Sequence, residues 1–141
     1  MDPAGRPEIL LIRRAQGSSY AGLWQCVTGG LEADESILAG ARREVLEETG
    51  LGASDVDAWF ETDIVNWFYE ATRDALMCEA VFAARARPDV TIRLSDEHDE
   101  ARWLSPDAAR STVVWPAYLR AIEFIEWLLA VPDRAQSFRL A

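Results

Sequence analysis

Three glutamates, Glu44, Glu47 and Glu48, stand at i, i+3 and i+4 in the stretch "GGLEADESILAGARREVLEETGL", residues 29–51. On a helix turning roughly 100° per residue, that spacing gathers three carboxylates within about a third of a turn. Like charges so placed repel one another, and the arrangement disfavours its own helix unless something compensates. A divalent cation with a preference for oxygen ligands would do so, since Mg²⁺ takes a few carboxylates together with substrate phosphate oxygens. Arg43 lies one turn before Glu47 and two turns after Glu35, so it can bridge them and hold the carboxylates in place. Gly29 and Gly30 let the backbone approach the cluster and aim a carbonyl at it. The helix N-terminus adds a partial positive charge beside an anion site. Three glutamates alone would be read as a solvated helix face; the glycines, Arg43 and Glu35 in register with them argue for a site.

The elements that must position this cluster follow from the local patterns. "EILLIRR" (8–14) is an apolar run with a polar end, a strand on which Arg13 and Arg14 point to opposite faces. "LWQCVTG" (23–29) reads as a strand running into a glycine turn. Residues 35–49 read as a helix with Asp34 as N-cap and Gly50 just past its end; Leu38, Ala41 and Val45 form its core face. "DAWFETDIVNWFYEA" and "ALMCEAVFAARA" form a long hairpin joined by "TRD", and "EARWLS" (100–105) is a further strand. Ser105 and Pro106 open a short helix, and Tyr118, Ile122, Ile125 and Leu129 repeat at helical spacing in a closing helix from Trp115 to Ala130. Strands and helices are mixed, which predicts an α+β domain with a sheet between helices.

The chain of 141 residues suits one domain over 1–141. Its net charge of −10 argues against binding a nucleic-acid polymer. No apolar run is long enough to cross a bilayer and no signal peptide is legible, so a cytoplasmic location is expected. All 14 basic residues are Arg, which excludes chemistry that needs a lysine amine and leaves guanidinium groups as the only phosphate clamps. Cys26 and Cys78 stand far apart in apolar contexts and are read as buried free thiols.

The cluster resembles the Nudix box, G-x5-E-x7-R-E-U-x-E-E-x-G-U with U an aliphatic residue. Gly29, Glu35, Arg43, Glu44, Val45, Glu47, Glu48, Gly50 and Leu51 match every fixed position. The resemblance implies the Nudix fold, a mixed sheet between helices, and Mg²⁺-dependent (or Mn²⁺-dependent) hydrolysis of a nucleoside diphosphate linked to another moiety. It implies Glu47 and Glu48 as metal ligands, Glu44 as a ligand or the residue that orients the attacking water, and Gly29 as donor of a backbone carbonyl. Arg43 would serve catalysis by holding the carboxylates, and Glu35 and Gly50 would be structural.

"LWQCVTGG" and "DEHDEARWLSPDAA" are similar to one branch, the dihydroneopterin triphosphate pyrophosphatases of folate biosynthesis, which also accept dATP or other nucleoside triphosphates. That likeness implies a nucleoside or pterin triphosphate substrate cleaved to monophosphate and pyrophosphate. It adds Glu97 as a further ligand or general base, and Arg14, Trp24 and Gln25 as substrate contacts. Trp67, Phe68 and Tyr69 are further candidates for stacking on a base, and the lone His98 is read as structural. Other nucleoside diphosphate substrates, such as dinucleoside polyphosphates or oxidised nucleotides, and a nucleotide-sensing module without turnover are the alternatives.

Nudix domains carry an apolar strand ahead of the one read at 8–14, and this chain starts too late to supply it. The residues before Glu8 include Pro3 and Pro7, which form strands poorly. One edge of 8–14 is therefore expected to lack a neighbour and to be covered by a homodimer partner or by a rearranged segment of the chain.

Overall fold

The computed structural model describes residues 6–141, so Pro3 lies outside the described residues. Nine elements follow in order: β1 (Ile9–Arg14), β2 (Trp24–Gln25), α1 (Ile37–Thr49), β3 (Val56–Glu70), β4 (Ala75–Ala86), β5 (His98–Leu104), α2 (Pro106–Thr112), α3 (Pro116–Leu129) and α4 (Pro132–Ser137). The first sheet runs β2–β1–β5 and the second is the β3–β4 hairpin, with antiparallel pairing throughout.

Strand β1 is the middle of its sheet. Its alternation sends Ile9 and Leu11 to one face, where they pack on Ala109 of α2 and Ile122 of α3. Ile12 points the other way and is equally buried, so both faces of the strand are covered. Burying side chains such as Leu11, Ile12 and Ile122 stabilises the fold by about 1.5–3 kcal/mol each. A second cluster joins Ala58, Phe60 and Ala83 of the hairpin base to Leu128 of α3, with Phe138 packed against it. The chain end adds to it, because the Leu140 N–H donates to the Trp59 carbonyl at 2.8 Å.

Of the two ways in which the edge of 8–14 was expected to be covered, the structure shows the chain itself covering part of it. One edge of β1 pairs with β5 from Ile9 to Arg14. On the other edge Ile12 and Arg13 pair with Gln25 and Trp24, and the Arg14 N–H donates to the Leu23 carbonyl at 3.0 Å. The chain itself covers that end; among the described residues, no strand pairs with 9–11 on that edge.

Helix α1 begins at Ile37, two residues later than the sequence pattern suggests. Glu35 is the reason: its carboxylate accepts from the Glu32 N–H at 2.8 Å and so belongs to the loop. Ser36, not Asp34, is the N-cap, and its hydroxyl accepts from the Ala39 N–H at 3.2 Å. Such a cap is worth about 1 kcal/mol. Gly50 ends the helix at φ 74, a left-handed conformation that suits glycine.

The stripe of Leu38, Ala41 and Val45 is only half buried; the most buried positions of α1 are Gly40, Glu48 and Thr49. Helix α4 follows a proline break and is too short to show helical periodicity in the sequence. Cys78 is exposed on the hairpin, contrary to the expectation of two buried thiols, while Cys26 is half-buried against the first core cluster. The outer hairpin also exposes Val65, Trp67, Phe68, Tyr69 and Leu76.

Candidate active site

Arg43 organises the acidic helix. Its Nη2 donates to Glu35 Oε1 at 2.7 Å and to the Gly30 carbonyl at 2.7 Å, and its Nε donates to Glu35 Oε2 at 3.3 Å. Its Nη1 donates to Glu44 Oε1 at 2.8 Å and to Glu47 Oε2 at 3.1 Å. One planar guanidinium thus ties the glycine loop, the residue ahead of the helix and two helix carboxylates together, a geometry an ammonium group cannot match. Hydrogen bonding to Arg43 holds the Glu35 carboxyl below its usual range, and the same bonds raise the Arg43 pKa.

Gly29 explains how Glu44 fits. A Cβ built on residue 29 would stand 1.8 Å from the Glu44 carboxyl carbon, so the side chain of Glu44 occupies the space that any other residue would fill.

The three glutamates do not share one environment, as their spacing suggested. The Glu47 side chain is 55% exposed, whereas Glu44 is half-buried beside Gly29 and Glu48 is buried. Glu48 lies at i+4 and i+7 from Glu44 and Ala41, which turns it toward the sheet. Burial is the first cause that pushes its carboxyl up to about 7; the hydrogen bond from the Thr28 backbone lowers it, and the charges of Glu44 and Glu97 raise it further. Glu48 Oε2 is buried without a hydrogen-bond partner.

Arg14 and Glu97 reach the same place from the sheet. Arg14 Nη1 donates to Glu97 Oε2 at 3.1 Å and its Nε donates to the Ser19 carbonyl at 3.0 Å. The charges of both act on Glu48. Arg13 leaves by the other face to Asp99 at 2.6 Å and Glu100 at 2.9 Å.

Trp24 and Gln25 are neighbours on a strand, so they face opposite sides. Trp24 lies under the guanidinium of Arg102, 4.6 Å from the ring centre, and Arg13 sits 5.7 Å away. Gln25 is 5% exposed, with its amide near His98 Nε2 at 3.4 Å and Thr28 Oγ1 at 3.5 Å. The structure therefore brings Arg14, Gly29, Glu44, Glu48 and Glu97 together, keeps Glu47 at the margin, encloses Gln25 and separates Trp24 from them.

The sequence offers the backbone carbonyl near Thr28 and Gly29 as a metal ligand and reads Tyr118 only as a core residue of the closing helix. Thr28 holds Glu48 through its backbone and shares a side-chain hydrogen bond with Tyr118, whose hydroxyl pKa burial raises. The bonds of Thr28 to Glu48 and Tyr118 have no signal in the sequence beyond its place next to Gly29. His98 is buried; burial first and the charge of Arg14 second lower its pKa.

Among the described residues, no three His, Cys, Asp or Glu side chains converge as a ready-made metal shell. Arg43 and Arg14 hold three of the carboxylates instead. The donors nevertheless fit a hard divalent cation: they are carboxylate oxygens beside a glycine-rich backbone, and Glu48 Oε2 is buried with no hydrogen-bond partner. No helix among the described residues is long and apolar enough to cross a membrane.

The NUDIX domain model matches residues 1–128. The chain is 39% identical over 101 residues to an octanoyltransferase of Myxococcus xanthus, a match that covers 72% of this chain but 27% of that protein. It is 30% identical over 118 residues to a MutT-like protein of Streptomyces ambofaciens, covering 84% of this chain and 68% of that one. An Ap4A hydrolase of C. elegans superposes with a TM-score of 0.74 at 20% identity, over 90% of this chain and 89% of that one. The E. coli dihydroneopterin triphosphate pyrophosphohydrolase superposes at 0.70 with 24% identity, over 82% and 83%. These two structures bear on the fold alone. The family model, matched along most of the chain, decides the family: the chain belongs to the NUDIX family.

Proposed function

We propose that residues 1–141 form one Nudix domain that cleaves a nucleoside or pterin triphosphate to the monophosphate and pyrophosphate with Mg²⁺ or Mn²⁺. The observation that carries this reading is Glu48, a buried carboxyl with one oxygen unpartnered, set among Glu44, Glu97 and Arg14. Glu44, Glu47, Glu48 and Glu97, with a backbone carbonyl at Thr28 or Gly29, would hold the cation. Bound Mg²⁺ supplies neutralisation of the charge that builds up on the departing phosphate.

The chain's own groups do the rest. Arg14 faces the site with donors beyond those used on Glu97 and Ser19, and can bind phosphate oxygens. Water forms a bond to phosphorus as the bridging P–O bond breaks, and its proton passes to a carboxylate. Glu97 is the candidate base, because its side chain is 66% exposed and so open to water. Arg43 acts by position, keeping Glu44 and Glu47 aimed at the site. The box retains all its glutamates, which weighs against a sensing module without turnover.

The test is a substrate panel with product analysis: dihydroneopterin triphosphate, dATP, dGTP, 8-oxo-dGTP, diadenosine polyphosphates and ADP-ribose. Pyrophosphate release from a triphosphate is expected. Stepwise orthophosphate release, or a preference for ADP-ribose or a dinucleoside polyphosphate, would contradict it.

A further inference from the structure

A polar relay crosses from helix α3 to the hairpin and has no part in the chemistry above. Arg120 Nη2 donates to Asn66 Oδ1 at 2.6 Å, and Asn66 Nδ2 donates to Glu79 Oε2 at 3.0 Å. Asn66 is 4% exposed, although it lies in a stretch of hairpin whose neighbours Val65 and Trp67 are exposed. Asn66 and Glu79 are direct partners across β3 and β4.

The relay has a sense. Arg120 can only donate, so it fixes the Asn66 carbonyl toward itself and turns the amide NH₂ toward Glu79. A carboxylate has about four acceptor positions, and the relay uses one of them. Glu79 is half-buried, and its charge acts on both Cys26 and Tyr118. Tyr118 shares its hydrogen bond with Thr28, whose backbone holds Glu48. Glu79 is thus a tethered carboxylate with acceptor capacity to spare, close enough to Tyr118 for its charge to act there.

We infer that Glu79, aimed by Asn66 and Arg120, reads the ring of the substrate by accepting its N–H groups. The ring edge that satisfies a carboxylate carries adjacent donors, as the 2-amino-lactam edge shared by guanine and pterin does. Adenine presents an acceptor there and is disfavoured. This inference rests on the triphosphate reading above and narrows its substrate class.

The test compares dGTP, dITP (which lacks the 2-amino group), dATP and dihydroneopterin triphosphate as substrates of the wild type, Glu79→Gln and Asn66→Ala. Binding of α,β-methylene dGTP and α,β-methylene dATP is measured alongside by calorimetry. Wild type should favour dGTP over dATP by on the order of tenfold or more, mainly in KM, with dITP between them. A comparable advantage for dihydroneopterin triphosphate would make pterin a source of that edge; its absence would restrict the edge to guanine. Glu79→Gln keeps an acceptor for Asn66 but offers the ring a donor, so the preference should vanish; Asn66→Ala should weaken it.

No preference in the wild type, or the same preference in Glu79→Gln, would overturn the inference and leave the relay a strut. Should Glu79→Gln fail to fold by circular dichroism, the wild-type series of dGTP, dITP and dATP still decides. Failure to turn over any triphosphate would sink the hydrolytic reading, while the methylene analogues would still test Glu79.

Discussion

Residue 29 and Glu44 are in contact so close that only hydrogen fits between them: a Cβ at 29 would lie 1.8 Å from the Glu44 carboxyl carbon and 2.3 Å from its Cγ. The clash is with a side chain, not with backbone, so Gly29→Ala should fold. The Glu44 carboxylate must then swing away. A displacement of about 1 Å at a catalytic group can cost on the order of 10²-fold in rate. We expect Gly29→Ala to melt near the wild-type temperature and to lose activity on that scale. Wild-type activity in this variant would remove Glu44 from the site.

Glu48 makes the metal-free protein respond to pH in an unusual direction. Its carboxyl sits at about 7 against an ordinary 4.5, so between those values the folded state binds more protons than the unfolded chain. Stability from this group is therefore full below pH 4.5 and declines as pH rises toward 7. Glu35 acts oppositely: Arg43 holds its carboxyl below 4.5, so its contribution is present above that pH and is lost as pH falls further. In chelator, thermal melts should show stability falling from mildly acidic to neutral pH, and Glu48→Gln should remove that fall. The same variant should lose activity on the order of 10²–10³-fold. A melting temperature that rises steadily from pH 5 to 8 in both proteins would contradict the placement of Glu48.

Arg43→Lys keeps the charge and loses the fork. A lysine has three donors on one nitrogen and cannot span Glu35, the Gly30 carbonyl, Glu44 and Glu47 together. Activity should fall by on the order of tenfold or more, with a lower melting temperature, because two carboxylates lose their anchor. Equal activity in the lysine variant would show that charge alone suffices at this position.

The box was legible because its spacing is long and its residue types are individually costly in a helix. What spacing could not show is how one helix turn divides its carboxylates. Glu44, Glu47 and Glu48 share a face by angle, yet the sheet beside α1 buries only Glu48. Their repulsion is relieved by Arg43 and, as pH falls below about 7, by protonation of Glu48, as well as by whatever cation binds. The helix start was misplaced because Asp34 and Ser36 are equally good cap residues; contact of Glu35 with Glu32 and Arg43 decides between them. Trp24 and Gln25 were expected to serve together. Strand alternation already separates them, and β2 follows it. The relay of Arg120, Asn66 and Glu79 was beyond reach, since its members come from three elements with no common spacing.

The two thiols offer a check on the first core cluster, against which Cys26 packs. Burial, with the charge of Glu79 as a smaller cause, pushes Cys26 up to about 12. At pH 8 that leaves about one thiolate in ten thousand, and the thiolate is the species that reacts. Cys78 is exposed on β4. Iodoacetamide at pH 8, followed by peptide mass spectrometry, should label Cys78 in the folded protein and reach Cys26 only after denaturation. In Cys78→Ser the folded protein should therefore take up almost no label. Equal labelling of the two cysteines in the folded state would mean that the cluster of β1, α2 and α3 residues does not close over Cys26.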